Sequence, residues 1–195
     1  MITRINSWDE SIVLWVNSRH TDFLDDFMWI ASSKWLILPI LVWLVYLLRN
    51  QQRDWKEIAM VLLFGTFMII LCDVISTQLF KEVFHRFRPS HNQFIAEKLH
   101  YHLFADGSPY LGGKYGFVSS HAANFAGFVA FFWTFYVKSW MKWFHVIFVL
   151  LVMYSRMYLG VHYVSDVVVG ALLGICIGYV MRRFVLPRFV LISKK

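Results

Sequence analysis

His162 and Asp166 stand four residues apart, a spacing that puts both on one face of a helix. A carboxylate beside an imidazole fixes its tautomer and stabilises the imidazolium, which leaves the other ring nitrogen free to attack. A plain structural helix pair has the same spacing. Arg156, six residues upstream, carries a planar fork suited to phosphate oxygens, although an interfacial arginine looks the same in sequence. A second cluster runs from Lys81 to Pro89. Lys81 and Arg88, seven apart, fall on nearly one helical face and could cradle a dianion or anchor an anionic headgroup; Arg86 points elsewhere and reads as headgroup-facing. The third cluster is Val118-Ser119-Ser120-His121, at the start of an apolar segment. Amides at a helix start bind phosphate, a serine hydroxyl adds a donor, and His121 is placed to protonate a leaving oxygen. Alone, Ser119-Ser120-His121 would read as a helix cap.

Together the clusters supply three cations, helix-start amides, two histidines and one orienting carboxylate. Phosphoryl transfer needs these parts: charge on the equatorial oxygens, a nucleophile and a proton donor. The histidines lie on separate segments and no carboxylates cluster, so neither a metal nor another cofactor is expected.

The elements that must bring the clusters together are membrane helices. The chain has 195 residues, 58% of them hydrophobic. A bilayer core of about 30 Å takes roughly 20 apolar residues of helix. Five spans are predicted, at 35–49, 56–81, 118–137, 143–159 and 163–181, giving an all-α polytopic bundle in a single domain, 1–195. The first span is short, holds Pro39 and could begin in the preceding segment. Residues 1–34 read as short amphipathic helices in the interface, with Trp8, Ile12, Trp15 and Val16 able to share a face. A sixth span there is the alternative, opposed by the cost of Asp25 and Asp26 in lipid. Gly170, Gly174 and Gly178, spaced by four, suit close helix packing. Cys72 and Cys176 lie in apolar runs and read as small hydrophobes. Residues 1–6 lack the apolar core of a signal peptide.

Alternating spans put all three clusters on one membrane surface. The opposite surface collects Arg49, Arg53, Lys56, Lys138, Lys142, Arg182, Arg183, Arg188, Lys194 and Lys195. Cytoplasmic loops favour Lys and Arg, so the clusters should face the exterior or periplasm. The net charge of +7 then suits a bilayer and an anionic lipid substrate, not nucleic acid. The long connection 82–117, which carries His85, His91, His100, His102 and Lys114, should shape a headgroup pocket. Asp73, the one clear mid-span acid, could support Lys81 through Thr77 or a polar bridge.

The clusters resemble the type 2 phosphatidic acid phosphatase superfamily. Its Lys-x6-Arg-Pro motif matches Lys81, Arg88 and Pro89, and its Ser-Arg-x5-His-x3-Asp motif matches Ser155, Arg156, His162 and Asp166 without a gap. The usual Pro-Ser-Gly-His is met at Ser119 and His121, with Val118 and Ser120 in place of proline and glycine. The resemblance implies a metal-independent membrane lipid phosphatase. His162 would form a phosphohistidine, Asp166 would orient it and His121 would protonate the leaving oxygen. Lys81, Arg88, Arg156, Ser119 and the Ser120 amide would hold the phosphoryl oxygens. Bacterial members act on undecaprenyl diphosphate, phosphatidylglycerophosphate, phosphatidic acid and lipid A phosphates. The first two lead the expectation for this chain, with lipid A phosphate as the alternative. Soluble vanadium-dependent haloperoxidases share the motifs but not the apolar spans. A transporter or binder of lipid phosphates is the non-enzymatic rival.

Overall fold

A computed structural model describes residues 2–189, with side chains from residue 7 onward. Lys194 and Lys195 lie outside the described residues. Among those described, every regular element is helical, and the only extended pairings are two isolated bridges, Phe87–Tyr115 and Leu103–Pro109. The expected all-α bundle is what forms.

Each expected span carries a helix. α3 is Ile37–Asn50, α4 Trp55–Ile75, α6 Ser120–Phe132, α7 Ser139–Tyr158 and α8 Val164–Val180. By length and composition, two helices among the described residues suffice to cross a membrane alone: Trp55–Phe84, which extends α4 through a π-helical turn and the three-residue α5 (Glu82–Phe84), and Val164–Arg188. A third appears if α2 (Asp22–Ala31) and the segment Lys34–Asn50 count as one span bent by 58°. Counted so, the first expected span begins in the segment before it. Pro39 sits in the first turn of α3, where its missing N–H costs no helical bond. At 13 residues, α6 is short for a full crossing.

α6 is the hub, packed most closely on α8 and then on α4 and α7. The glycine stripe explains the first contact. A Cβ on Gly170 would lie 2.5 Å from the Ser119 carbonyl oxygen, and Cβ atoms on Gly174 and Gly178 would press closer still on the carbonyls of Ala123 and Gly127. Only glycine lets the α8 backbone reach α6 there. The same approach ties two functional clusters together, because the Ser119 amide donates to the Asp166 carbonyl at 3.0 Å.

α1 (Ile2–Asn17) lies against α7 and α8. Trp8, Ile12 and Trp15 face outward as an interfacial apolar face should, but Val16 turns inward with Asp9, Val13 and Asn17. The buried side of this helix is thus half polar, and its polar atoms are used. Asn17 donates to the carbonyls of Tyr158 and His100 at 2.7 and 2.8 Å and accepts from the His100 amide, which stitches α1, the end of α7 and the long loop together.

Candidate active site

The end of α7 and the start of α8 build the centre. Gly160 holds φ +67°, the Val161 amide donates to the Arg156 carbonyl at 3.2 Å, and the Gly160 amide donates to that of Met157 at 2.9 Å. These paired bonds are a Schellman motif, with glycine at its left-handed position. The motif reverses the chain over Arg156, and the His162 amide also donates to the Arg156 carbonyl. Arg156 and His162 are joined by helix-capping geometry, and Gly160 is the residue that permits it.

α8 then starts on Asp166. Its Oδ2 accepts the Tyr163 amide at 3.0 Å, capping the helix, and faces His162 Nδ1 at 3.4 Å. His162 Nε2 lies 3.2 Å from Arg88 Nη1. A guanidinium has no acceptor, so Nε2 presents a lone pair to Arg88 and the ring proton sits on Nδ1, toward the carboxylate. The imidazole is fully buried, and that burial, followed by the charges of Arg88, Arg156 and Lys81, holds its pKa well below the usual 6.5. At neutral pH the ring is neutral, with Nε2 as its nucleophilic atom.

The cations reach this point by different routes. Lys81 and Arg88 do not share a helix face. α5 ends at Phe84, His85 takes φ +47°, and Arg88 lies on an extended segment before Pro89. A residue preceding proline is driven out of the helical region, which is why the helix cannot carry on to Arg88. Instead residues 86–88 lie beside 114–116: the Arg88 amide donates to the Lys114 carbonyl and the Gly116 amide to that of Arg86. Arg88 Nε donates to the Tyr115 carbonyl at 3.1 Å. Burial and the Arg156 guanidinium push Arg88 down to about 10, so it stays a cation at neutral pH. Lys81 ends the π-helical turn, and its Nζ donates to Ser120 Oγ at 2.5 Å, with Ser76 Oγ 2.7 Å from the same hydroxyl. Direct support for Lys81 comes from Ser120, and Ser76 bridges that hydroxyl to the Asp73 carbonyl, while the exposed Asp73 carboxylate acts on the ammonium electrostatically. Arg156 donates to the Ser32 hydroxyl and to Tyr110 Oη at 3.0 Å, and its buried Nε has no partner.

Ser119 caps α6, its hydroxyl accepting from the Ala122 amide at 3.4 Å, and it is wholly buried. His121 lines two cavities beside the cations, one of about 400 Å³ shared with Arg156 and one of about 120 Å³ toward α3 and α4. The fold therefore assembles Lys81, Arg88, Ser120, His121, Arg156, His162 and Asp166 in one place, with Ser119 capping α6 next to Ser120.

Arg86 corrects the sequence reading. It is not turned to headgroups: Nη1 donates to Asp166 Oδ1 at 2.8 Å and Nη2 to Asp9 Oδ2 at 2.7 Å. Ser165 bonds to Asp9 through both its hydroxyl and its amide. The turn at His85 aims Arg86 inward, and the extended residue before Pro89 was the available signal. Asp9 left no local signal, because its role depends on where α1 docks. The long loop acts on the site through Tyr110 and Tyr115. Two of its histidines are occupied elsewhere, His100 on Asp25 at 2.8 Å and His102 stacked on Trp29.

The chain matches the PAP2 superfamily over residues 58–189. It belongs to that family. Two relatives named lipid A 4′-phosphatase, from Porphyromonas gingivalis and Bacteroides thetaiotaomicron, are each 30% identical to it. The alignments cover 88% of this chain and 70% of the first relative, and 89% and 75% for the second. Two crystal structures share the fold. LpxE of Aquifex aeolicus has a TM-score of 0.63 at 21% identity, covering 89% of this chain and 94% of its own. The transmembrane PAP2-type phosphatidylglycerolphosphate phosphatase of Bacillus subtilis has a TM-score of 0.64 at 22% identity, covering 97% and 90%. The protein is thus a PAP2-family phosphatase built as a bacterial membrane protein.

Proposed function

We propose that this protein removes phosphate from a lipid phosphate monoester at the bilayer surface, with a lipid A phosphate as the foremost substrate, through a covalent phosphohistidine on His162. One observation carries the chemistry: a buried, neutral His162 whose Nε2 lone pair faces Arg88 and whose Nδ1–H faces Asp166. The two relatives named lipid A 4′-phosphatase support that substrate ahead of undecaprenyl diphosphate and phosphatidylglycerophosphate, the first expectation from sequence.

In the reaction, phosphoryl oxygens take over the Arg88 donor that now covers Nε2. Lys81, Arg156, Ser119 and the Ser120 amide hold the remaining oxygens. Nε2 attacks phosphorus, the bond to the lipid oxygen breaks, and His121 gives that oxygen a proton. Water then attacks the phosphohistidine while His121 takes back a proton, the P–N bond breaks and phosphate leaves. Asp166 stabilises the imidazolium that forms on the way. No step uses a metal, so a chelator should leave the rate intact. The domain is 1–195, seated in the inner membrane. Arg49, Arg53, Lys56, Lys138, Lys142, Arg182, Arg183 and Arg188 mark its cytoplasmic end and the site faces the periplasm.

The test is phosphate release by the detergent-purified protein from lipid A, undecaprenyl diphosphate and phosphatidylglycerophosphate. His162→Ala should cut release by about 10³-fold or more, as loss of a covalent nucleophile does. Acid-labile, base-stable labelling from a ³²P-lipid should vanish with it. Undiminished release from His162→Ala would sink the nucleophile assignment. No release by the parent on any of the three lipids would favour a binder or transporter.

A further inference from the structure

Arg156 is the most deeply buried of the three cations, 2% exposed, and its motif does not contain what holds it. Among the described residues its guanidinium hydrogen-bonds to two hydroxyls and to no carboxylate. Nη1 donates to Ser32 Oγ, and Nη2 donates to Tyr110 Oη at 3.0 Å. Ser32, Tyr110 and Arg156 line the same cavity of about 400 Å³, together with His121.

Both hydroxyls are fixed by packing. Ser32 is buried and C-caps α2, its amide donating to the Met28 carbonyl at 2.9 Å. Met28 packs with Tyr158 and Val161 at the end of α7, and Tyr158 Oη donates to Asp25 Oδ1 at 2.5 Å. α2 is therefore pinned to the last turn of α7, the turn that carries Arg156. Tyr110 comes from the long loop, and its ring meets Trp29 of α2 edge-on at 4.9 Å and Phe104 at 6.0 Å. Loop and helix thus form one packed unit around the guanidinium.

A guanidinium has five N–H donors and no acceptor, so a buried one must be held by oxygens or other acceptors. A carboxylate in that place would cancel its charge and compete with phosphate for it. A neutral hydroxyl accepts the same hydrogen bond and leaves the charge in place. In a site of low dielectric, a fixed and uncancelled cation acts strongly on a phosphoryl group in transfer.

We propose that Ser32 and Tyr110 are positioning residues of this enzyme, which hold the Arg156 guanidinium for the phosphoryl oxygens without neutralising it. Each acts through Arg156 and takes no part in bond making. The inference rests on the lipid phosphatase reading.

The test uses purified full-length protein, with phosphate release from the preferred of the three lipids and inhibition of that release by inorganic phosphate. Ser32→Ala and Tyr110→Phe, the second of which keeps the ring packing, should each lower kcat/KM by about 10-fold, the scale for a group that orients a functional one from behind. Each should also weaken inhibition by inorganic phosphate, since Arg156 no longer meets the anion in place. In an Arg156→Ala background neither substitution should add a loss, because the residue it acts through is gone. Parent-like kinetics and phosphate inhibition in both single variants would overturn the proposal. So would losses of the same size in the Arg156→Ala background, which would make the two hydroxyls supports of the fold or direct substrate contacts. Absence of His162-dependent release by the parent would remove the phosphatase reading itself, and this inference with it.

Discussion

The two nitrogens of His162 look onto opposite kinds of surroundings. Behind Nδ1 the carboxylates are held by named donors: Asp166 and Asp9 share Arg86, Ser165 donates to Asp9, and the Tyr163 amide donates to Asp166 Oδ2. Ahead of Nε2 stand Lys81, Arg88 and Arg156, and among the described residues none of them pairs with a carboxylate. Their partners are hydroxyls, backbone carbonyls and the imidazole itself. Gathering three buried or half-buried cations without a counter-ion is expensive. A fold that keeps them there is shaped for an anion with several oxygens. The rear holds one tautomer rigidly, and the front holds positive charge ready for transfer. The comparison teaches that the two halves should fail differently when broken.

The largest effect should come from the rear. In Asp166→Asn the amide can offer N–H instead of an acceptor to His162 Nδ1, which favours the wrong tautomer and removes the charge that stabilises the imidazolium. Triads of this logic lose on the order of 10⁴-fold in kcat. KM should move little, because Asp166 does not touch the phosphoryl oxygens. Steady-state kinetics on the preferred lipid would decide it, and a KM-dominated loss would contradict the assignment.

A front-side change, Arg88→Gln, should cost about 10²–10³-fold, as loss of one transition-state donor does. It should also move the pH profile. Burial and then Arg88 keep the His162 pKa below 6.5. Removing that positive charge raises the pKa, so protonation removes the nucleophile at higher pH than in the parent. The acid limb of kcat/KM, which reports the free enzyme, should shift upward in pH. An unmoved limb would mean that Arg88 does not govern the titration of His162.

The front was largely legible from sequence, and the rear was not. The spacing of Lys81, Arg88, Ser119, His121, Arg156, His162 and Asp166 sufficed to place them at one end of alternating spans, and the stripe from Gly170 to Gly178 announced the contact of α8 with α6. Arg86 was misread because helical periodicity was carried past Phe84, where the left-handed His85 turns the chain. Asp9 and Ser32 were invisible for another reason. They come from α1 and the end of α2, and short helices with mixed polarity give no sign of which face will dock.

The smallest effect separates positioning from binding. Arg86 reaches His162 through Asp166, to whose Oδ1 it donates, and it does not line the cavities that His121 lines. Arg86→Gln should lower kcat by about 10–100-fold, the usual scale for a group that orients a functional ligand from behind. KM for the lipid should stay close to that of the parent. Arg86→Lys should rescue poorly, since one ammonium cannot span Asp166 and Asp9 as two guanidinium nitrogens do. Asp9→Asn should weaken the same unit, and the double variant should lose less than the product of the two single losses, because both changes release one network. Fully multiplicative losses would mean that Asp9 and Arg86 serve the site independently. A matched rise in KM would move Arg86 from the rear of His162 to its front.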